Sequence, residues 1–372
     1  MSKPPQLAPN TLKVGEPAPW FTARCTSNER YAFDSVGGRY VVLGFFGSAS
    51  SAFGSAYNAF IHTIKPLLDD TNICFFGVST NNDDEKQQLV KEYMPGIRYF
   101  WDADLKISQL YNTLQADGST ANTTYVLDPM LRVIGVFKHE NSQTDFAKLA
   151  QFLQKLPKIP APFLATPQAP ALVIPYVFEP TLCKALIDYY EKNGGDDSGF
   201  MRESGGKTVG MIDYKHKRRR DCDITDLALK EACMHRINNR LVPAIEKAFQ
   251  FKVTRMERHI VACYDANEQA HFRAHRDNTT PSTLHRKFAV SLFLNTGEFE
   301  GGFLKFPEYG SAHYIAPAGG AVVFSCSMLH EATTVTAGKR YMFLPFLYDD
   351  AAALVRQETA SLIVGVNETL VE

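Results

Sequence analysis

The chain has 372 residues, of which 45% are hydrophobic, 12% aromatic and 21% charged. That apolar content excludes a disordered or fibrous chain, and the length, at roughly 100 to 200 residues per domain, predicts two domains. Its 39 basic residues nearly cancel the 40 acidic ones, leaving a formal charge of -1, so no bulk attraction to nucleic acid or anionic lipid is expected.

The first thirteen residues, MSKPPQLAPNTLK, contain three prolines and no apolar segment of the kind a secretory leader needs, so a cytoplasmic chain is expected. Residues 40 to 61 carry no charge, but Gly44, Gly47, Gly54 and Asn58 interrupt them. They predict a buried strand, a loop and a helix rather than a membrane span. RYVVLGFF and NICFFGVST are short, β-rich runs separated by a helical pattern, a βαβ signature, and TTYVLDPMLRVIGVF reads as a hairpin turning at Asp128-Pro129. Ser142 with Asp145 reads as a capping box, and Phe146, Leu149, Leu153 and Leu156 recur at helical spacing. The resulting order is strand, helix, strand, helix, hairpin, helix, an α/β domain over 1-156.

Six prolines between Pro157 and Pro175 forbid helix interior and central strand, which makes 157-171 a linker. The second domain, 172-372, opens with a helix, PTLCKALIDYYEKN, then a polar stretch from Gly194 to Asp223 and a helix reaching about Phe249. From Arg255 the period changes to two. In RKFAVSLFLN, Phe288, Val290, Leu292 and Leu294 share one face, and the runs around it predict an antiparallel jelly roll with supporting helices. Seven scattered cysteines (Cys25, Cys74, Cys183, Cys222, Cys233, Cys263 and Cys326) form no C-x-x-C pair, and are expected to be buried, reduced thiols.

On this β scaffold His275 and Asp277 lie two residues apart and so on one face of a strand, with His330 55 residues later. Two imidazoles and a carboxylate are the donor set of a non-haem Fe(II) centre with open positions. H-x-D alone is expected about once in two such chains by chance, so context decides. Arg340 follows His330 by ten residues, where its guanidinium can pair with the far carboxylate of a chelating keto acid. Tyr264 precedes His275 by eleven residues and can offer its hydroxyl to the same molecule. Lys339 should face the other side of the strand. His271 either lines the mouth or is exposed. The run KHKRRR, Lys215 to Arg220, either steers an anionic partner or is solvated. ESGGKT at 203-208 lacks the first glycine of a phosphate loop, having Met201 there, and is rejected.

The ordered set of Tyr264, H-x-D at 275-277, GGFLKFP, His330 and Arg340 resembles the prolyl 4-hydroxylase branch of the Fe(II) and 2-oxoglutarate dependent dioxygenases, over residues 172 to 349. The resemblance implies that His275, Asp277 and His330 bind iron, that Arg340 binds the C5 carboxylate of 2-oxoglutarate, and that Tyr264 helps orient it. It further implies O2 as cosubstrate, succinate as product, ascorbate as a candidate reductant and a hydroxylated peptide, protein or small metabolite, proline being favoured. With Asp277 present, hydroxylation is expected over halogenation. A tyrosine of animal relatives falls on Leu292, so Arg340 is expected to act without that partner.

The stretch from VGEPAPWF, at Val14, to Phe137 resembles the peroxiredoxin branch of the thioredoxin fold. Its reactive cysteine falls on Gly54, its neighbouring threonine on Ser51 and its activating arginine on Asn122, so a docking or dimerisation module is expected instead of a peroxidase. The alternative reading is a redox-linked interaction or sensor protein whose degenerate redoxin domain binds a partner, with Cys25, Cys74 or Cys263 reactive. Neither membrane nor nucleic acid is an expected partner, and a homodimer is left open.

Overall fold

A computed structural model describes residues 11–364; residues 1–10 and 365–372, and with them most of the leader reading, lie outside the described residues. The chain divides into two compact units, residues 1–163 and 164–372. The helix before the division ends at Gln154 and the next regular element starts at Leu172.

In the first unit a seven-stranded sheet runs in the order Asn28–Ala32, Thr22–Cys25, Ile97–Trp101, Ile73–Ser79, Tyr40–Gly47, Thr123–Leu127, Val133–Lys138. The three middle strands from Ile97–Trp101 to Tyr40–Gly47 are parallel, Thr123–Leu127 pairs antiparallel with Tyr40–Gly47, and Val133–Lys138 pairs antiparallel with Thr123–Leu127. Burial on both faces explains the unbroken apolar run at its centre. Val41, Leu43 and Phe45 enter one core layer, while Val42 and Phe46 enter the other beneath the helices Ala52–Thr63 and Ser142–Gln154. Residues 40 to 61 thus form the expected strand, loop and helix.

Two details differ from the sequence reading. The stretch expected as a single helix contains the strand Ile97–Trp101, flanked by the one-turn helices Asn82–Lys86 and Lys106–Leu110. IRYFW is too short to carry a period, and Gly96, at φ +108°, makes the turn into it. The closing helix is capped one residue earlier than expected: Asn141 is the N-cap, and the Asp145 carboxylate accepts from the backbone N–H groups of Glu140 and Asn141.

The second unit is a double-sheet barrel. Its larger sheet runs Arg255–Glu257, Phe346–Tyr348, Phe288–Phe293, Val335–Phe343, Ile260–Asp265, Arg220–Asp223, Asp196–Asp197. The smaller runs Lys217–Arg218, His271–His275, His330–Ala332, Leu304–Lys305, His313–Tyr314. Phe288, Val290, Leu292 and Leu294 face the helices Pro180–Asn193, Leu227–Arg236 and Val242–Phe249. The alternate residues Ala289 and Phe293 face inward with Ala262, Tyr264 and Met342, opposite Phe272, Leu304 and Ala332 of the smaller sheet. The stretch from Gly194 to Asp223, expected to be a polar stretch, supplies five strands including the hairpin Phe200–Ser204/Lys207–Met211. Its turn residues Gly205 and Gly206 both have positive φ, so the glycines of ESGGKT serve a two-residue hairpin turn. Among the described residues no helix is long and apolar enough to cross a membrane.

Candidate active site

His275 ends one strand of the smaller sheet and His330 begins its neighbour, and the two are register partners. Each ring is fixed from behind, since His275 Nδ1 lies 2.8 Å from the Arg273 carbonyl oxygen and His330 Nδ1 3.0 Å from that of Met328. A carbonyl can only accept, so each Nδ1 carries the proton and each Nε2 presents a lone pair. Asp277, whose N–H donates to the Cys326 carbonyl at 3.0 Å, turns its carboxylate between them. Oδ1 is 3.5 Å from His275 Nε2 and Oδ2 is 3.4 Å from His330 Nε2.

The ligand-capable atoms of these three residues lie within 4.8 Å of one another, and they are the only such cluster of three or more found among the described residues. Burial pushes the His330 imidazole down to about 4, leaving it unprotonated at neutral pH. Burial alone would raise the Asp277 carboxyl, but His330 and His275 hold it well below the usual carboxylate range. Phe272 stacks on His275 at 3.4 Å and Phe324 meets His330 edge-on at 4.6 Å, walling the cluster with rings. Two imidazole Nε2 atoms and a carboxylate converging from one side suit a divalent metal ion with the opposite positions open.

Arg340 and Tyr264 face each other across adjacent strands of the larger sheet. The Arg340 guanidinium lies 4.7 Å from the Tyr264 ring centroid and 5.1 Å from that of Phe293. Arg340 is 1% exposed, its Nε has no hydrogen-bond partner, and no carboxylate among the described residues lies in ion-pairing distance. A buried cation left in this state is a site prepared for an anion. Gly302 makes room for it: at φ +62° a Cβ there would stand 2.7 Å from Arg340 Cδ. Lys339 points outward to Glu191, as strand alternation requires. The expected vacancy at Leu292 has a different geometry, because Leu292 belongs to the helix-facing core and Phe293 is the residue of that strand facing Arg340.

A narrow inner chamber of about 60 Å³ contains His275, Asp277, His330, Tyr264 and Arg340 on its walls, and an outer cavity of about 730 Å³ shares His275, Asp277, Phe272, Arg258 and Phe346 with it. His271 lines neither. It is buried, with its ring nitrogens 2.8 Å from the Gln269 carbonyl and 3.2 Å from that of Lys215. The basic run is not a uniformly solvated segment. Lys217 and Arg219 turn inward and are 5% and 6% exposed, whereas Arg218 and Arg220 turn outward to Glu268. Sequence reasoning missed Lys217, Arg219 and Arg258 as site residues; the period-two signal for the first two was present, while Arg258 carries none.

In the first unit the position of the absent thiol is filled by backbone. A Cβ on Gly54 would stand 2.0 Å from the Ser48 carbonyl oxygen. That loop is clamped by the buried Asp84 carboxylate, which accepts from Ser48 Oγ at 2.8 Å and from the Ala49 N–H at 2.7 Å. Ser51 caps the helix through the Gly54 N–H. All seven cysteines are buried and unpaired, and burial pushes the thiols of Cys74 and Cys263 up to about 12 and about 11.

Comparison with known proteins agrees with both halves. Residues 237–348 match the 2OG-Fe(II) oxygenase superfamily and residues 14–135 match the AhpC/TSA family. The chain thus carries an AhpC/TSA domain followed by a 2OG-Fe(II) oxygenase domain. A PKHD-type hydroxylase of Acinetobacter baumannii is 28% identical over 182 residues, covering 45% of this chain and 75% of that protein. One from Acinetobacter baylyi is 27% identical over 180 residues, covering 45% and 74%. Among solved structures, AhpC of Mycobacterium tuberculosis is 16% identical with a TM-score of 0.33, covering 39% of this chain and 93% of its own. The second unit thus contains a 2OG-Fe(II) oxygenase superfamily match and is similar to PKHD-type hydroxylases.

Proposed function

We propose that this oxygenase domain is an Fe(II)- and 2-oxoglutarate-dependent hydroxylase in which His275, Asp277 and His330 hold the iron and Arg340 with Tyr264 holds the C5 carboxylate of 2-oxoglutarate. The observation carrying the reading is the pairing of a convergent His-Asp-His cluster with a buried arginine that has no carboxylate of its own. Iron with 2-oxoglutarate and O2 supplies the oxidising power to hydroxylate a C–H bond while the keto acid is converted to succinate. This chain's residues do the positioning. The Arg273 and Met328 carbonyls aim the two Nε2 atoms, and the Arg340 guanidinium fixes the far end of the keto acid. Phe272, Phe324, Leu304 and Ala332 keep bulk water from the reacting centre. Family likeness supports a proline-containing peptide or a small metabolite as substrate, with ascorbate as reductant.

For residues 1–156 we propose a docking role without thiol chemistry, because Gly54 has no room for a side chain and the thiols of the sensor reading are buried. The test of the whole reading is succinate formation by anaerobically iron-loaded protein given 2-oxoglutarate and O2, with and without candidate substrates. Turnover that His275→Ala abolishes supports it; failure to bind iron, or undiminished turnover in His275→Ala, overturns it.

A further inference from the structure

The outer cavity in front of the His-Asp-His cluster is lined by more cations than its acids neutralise. Arg202, Lys217, Arg258, Arg276, Arg286 and Arg356 face Asp213, Glu257 and Asp277. Three of the cations are matched: Arg276 pairs with Glu308 at 2.7 Å, and Arg286 and Arg356 pair with Glu257 at 2.6 and 3.1 Å. Lys217 and Arg258 are not matched in this way.

Lys217 Nζ donates to Ser198 Oγ at 2.7 Å and to the Gly199 carbonyl at 2.5 Å, and no carboxylate lies in ion-pairing distance of it among the described residues. It sits 4.8 Å from the centroid of Phe272, the ring stacked on His275. Arg258 reaches Asp221 Oδ2 at 3.1 Å through Nη2 alone, and its guanidinium lies 5.4 Å from the Phe346 centroid. The same Asp221 oxygen already accepts from Arg219 Nη2 at 2.6 Å. One carboxylate therefore serves Arg219 and Arg258, with Lys217 beside them, where burial and the neighbouring Arg219 push its ammonium well below the ordinary lysine range unless an anion joins the group. Enclosed, unpaired cationic groups are costly unless an anion completes them.

Arg258 also holds its backbone at φ +65°, an uncommon conformation for a residue with a Cβ, which places it on the walls of both cavities beside His275 and Asp277. Arg340 lines the inner chamber together with Arg219 and Arg258, whereas Lys217 lines the outer cavity alone, so an anion paired with Arg340 leaves Lys217 and the outer side of Arg258 unmatched.

The geometry points to a primary substrate that is a small organic acid, its carboxylate held by Arg258 and Lys217 at the mouth and its reacting carbon turned toward the His-Asp-His cluster. This rests on the hydroxylase reading above, and it narrows the substrate from any peptide residue to a free acid such as an amino or hydroxy acid. The outer cavity, at about 730 Å³, is of the size that encloses a small molecule. A guanidinium supplies the planar fork that a carboxylate accepts.

The experiment is calorimetric titration of the full-length protein, kept anaerobic with Fe(II) and saturating 2-oxoglutarate so that binding is read without turnover. The probes are the free L-amino acids and simple hydroxy acids, each paired with its carboxamide, together with an internal proline peptide and a set of phosphate monoesters. At least one acid should bind at least tenfold more tightly than its amide, and Arg258→Gln and Lys217→Met should each weaken that acid at least tenfold, with partial recovery in Arg258→Lys. The 2-oxoglutarate titration, run first on each variant, reports whether the barrel is folded and whether the hydroxylase reading itself stands. Acid and amide binding alike, binding by the peptide or the phosphate esters alone, no acid binding up to millimolar concentration, or two folded variants with unchanged affinity would each overturn the inference.

Discussion

His275 and His330 are direct cross-strand partners, with ring centroids 4.3 Å apart, and each is pinned through Nδ1 by the carbonyl two residues before it. The same local device on two neighbouring strands aims both Nε2 atoms at Asp277. On the proposed reading, loss of either imidazole or of the carboxylate removes a metal ligand and leaves the others aimed. His330→Ala and Asp277→Ala should therefore weaken Fe(II) binding by more than about 100-fold, since disturbing only a ligand's supporting partner already costs 10- to 100-fold. Equilibrium dialysis of iron checks this, and affinity within threefold of the parent chain would refute the assignment.

Gly302 predicts a way to disturb the arginine without touching it. In Gly302→Ala the new methyl meets Arg340 Cδ and the backbone is held at φ +62°. The affinity for 2-oxoglutarate should fall about tenfold, or roughly 1.4 kcal/mol, while iron binding changes little. Titration of each ligand separates the two effects, and equal losses of both would mean general unfolding of the site.

In the first unit, Gly54→Cys should yield no thiol peroxidase. Overpacking against the Ser48 carbonyl should cost about 1 to 3 kcal/mol. Both tryptophans of the chain, Trp20 and Trp101, lie in this unit, so urea unfolding followed by their fluorescence reads its stability. Peroxide consumption at parental stability would contradict the closed geometry.

His139 sets an acid limit on the same unit. It is buried, 2.8 Å from Thr124 Oγ1, and burial pushes its imidazole down to about 4 from an ordinary 6.5. Above pH 6.5 it is neutral folded and unfolded, and its full contribution is present. As pH falls from 6.5 toward 4 the unfolded chain takes up a proton that the folded one refuses, so stability drops by up to about 3 kcal/mol. His139→Gln should flatten that part of the profile; a parallel loss in parent and variant would assign the acid sensitivity elsewhere.

Much of this was legible in the sequence because the signals were periodic. Phe288, Val290, Leu292 and Leu294 alternate over seven residues and do face one layer. Tyr264, His275, Asp277, His330 and Arg340, singled out in the sequence by the resemblance their order carries, line one inner chamber. Arg258 was not legible, because its place depends on one unusual backbone angle before a strand rather than on a repeat. Lys217 and Arg219 were obscured by their neighbours: in a run of six residues that are all basic, composition suggests solvent while strand parity sends every second residue inward. Ile97–Trp101 was overlooked because five residues are too few for any period to declare itself.

The closeness of Ser48 to Gly54 also bears on how this molecule could change over generations. A single codon change would put a cysteine at position 54, but the side chain could not be accommodated until the Ser48 carbonyl withdrew, and Asp84 holds that loop in place. A cysteine side chain at position 54 therefore requires the Ser48 and Asp84 contacts to rearrange first, so that substitution alone supplies no accessible nucleophile.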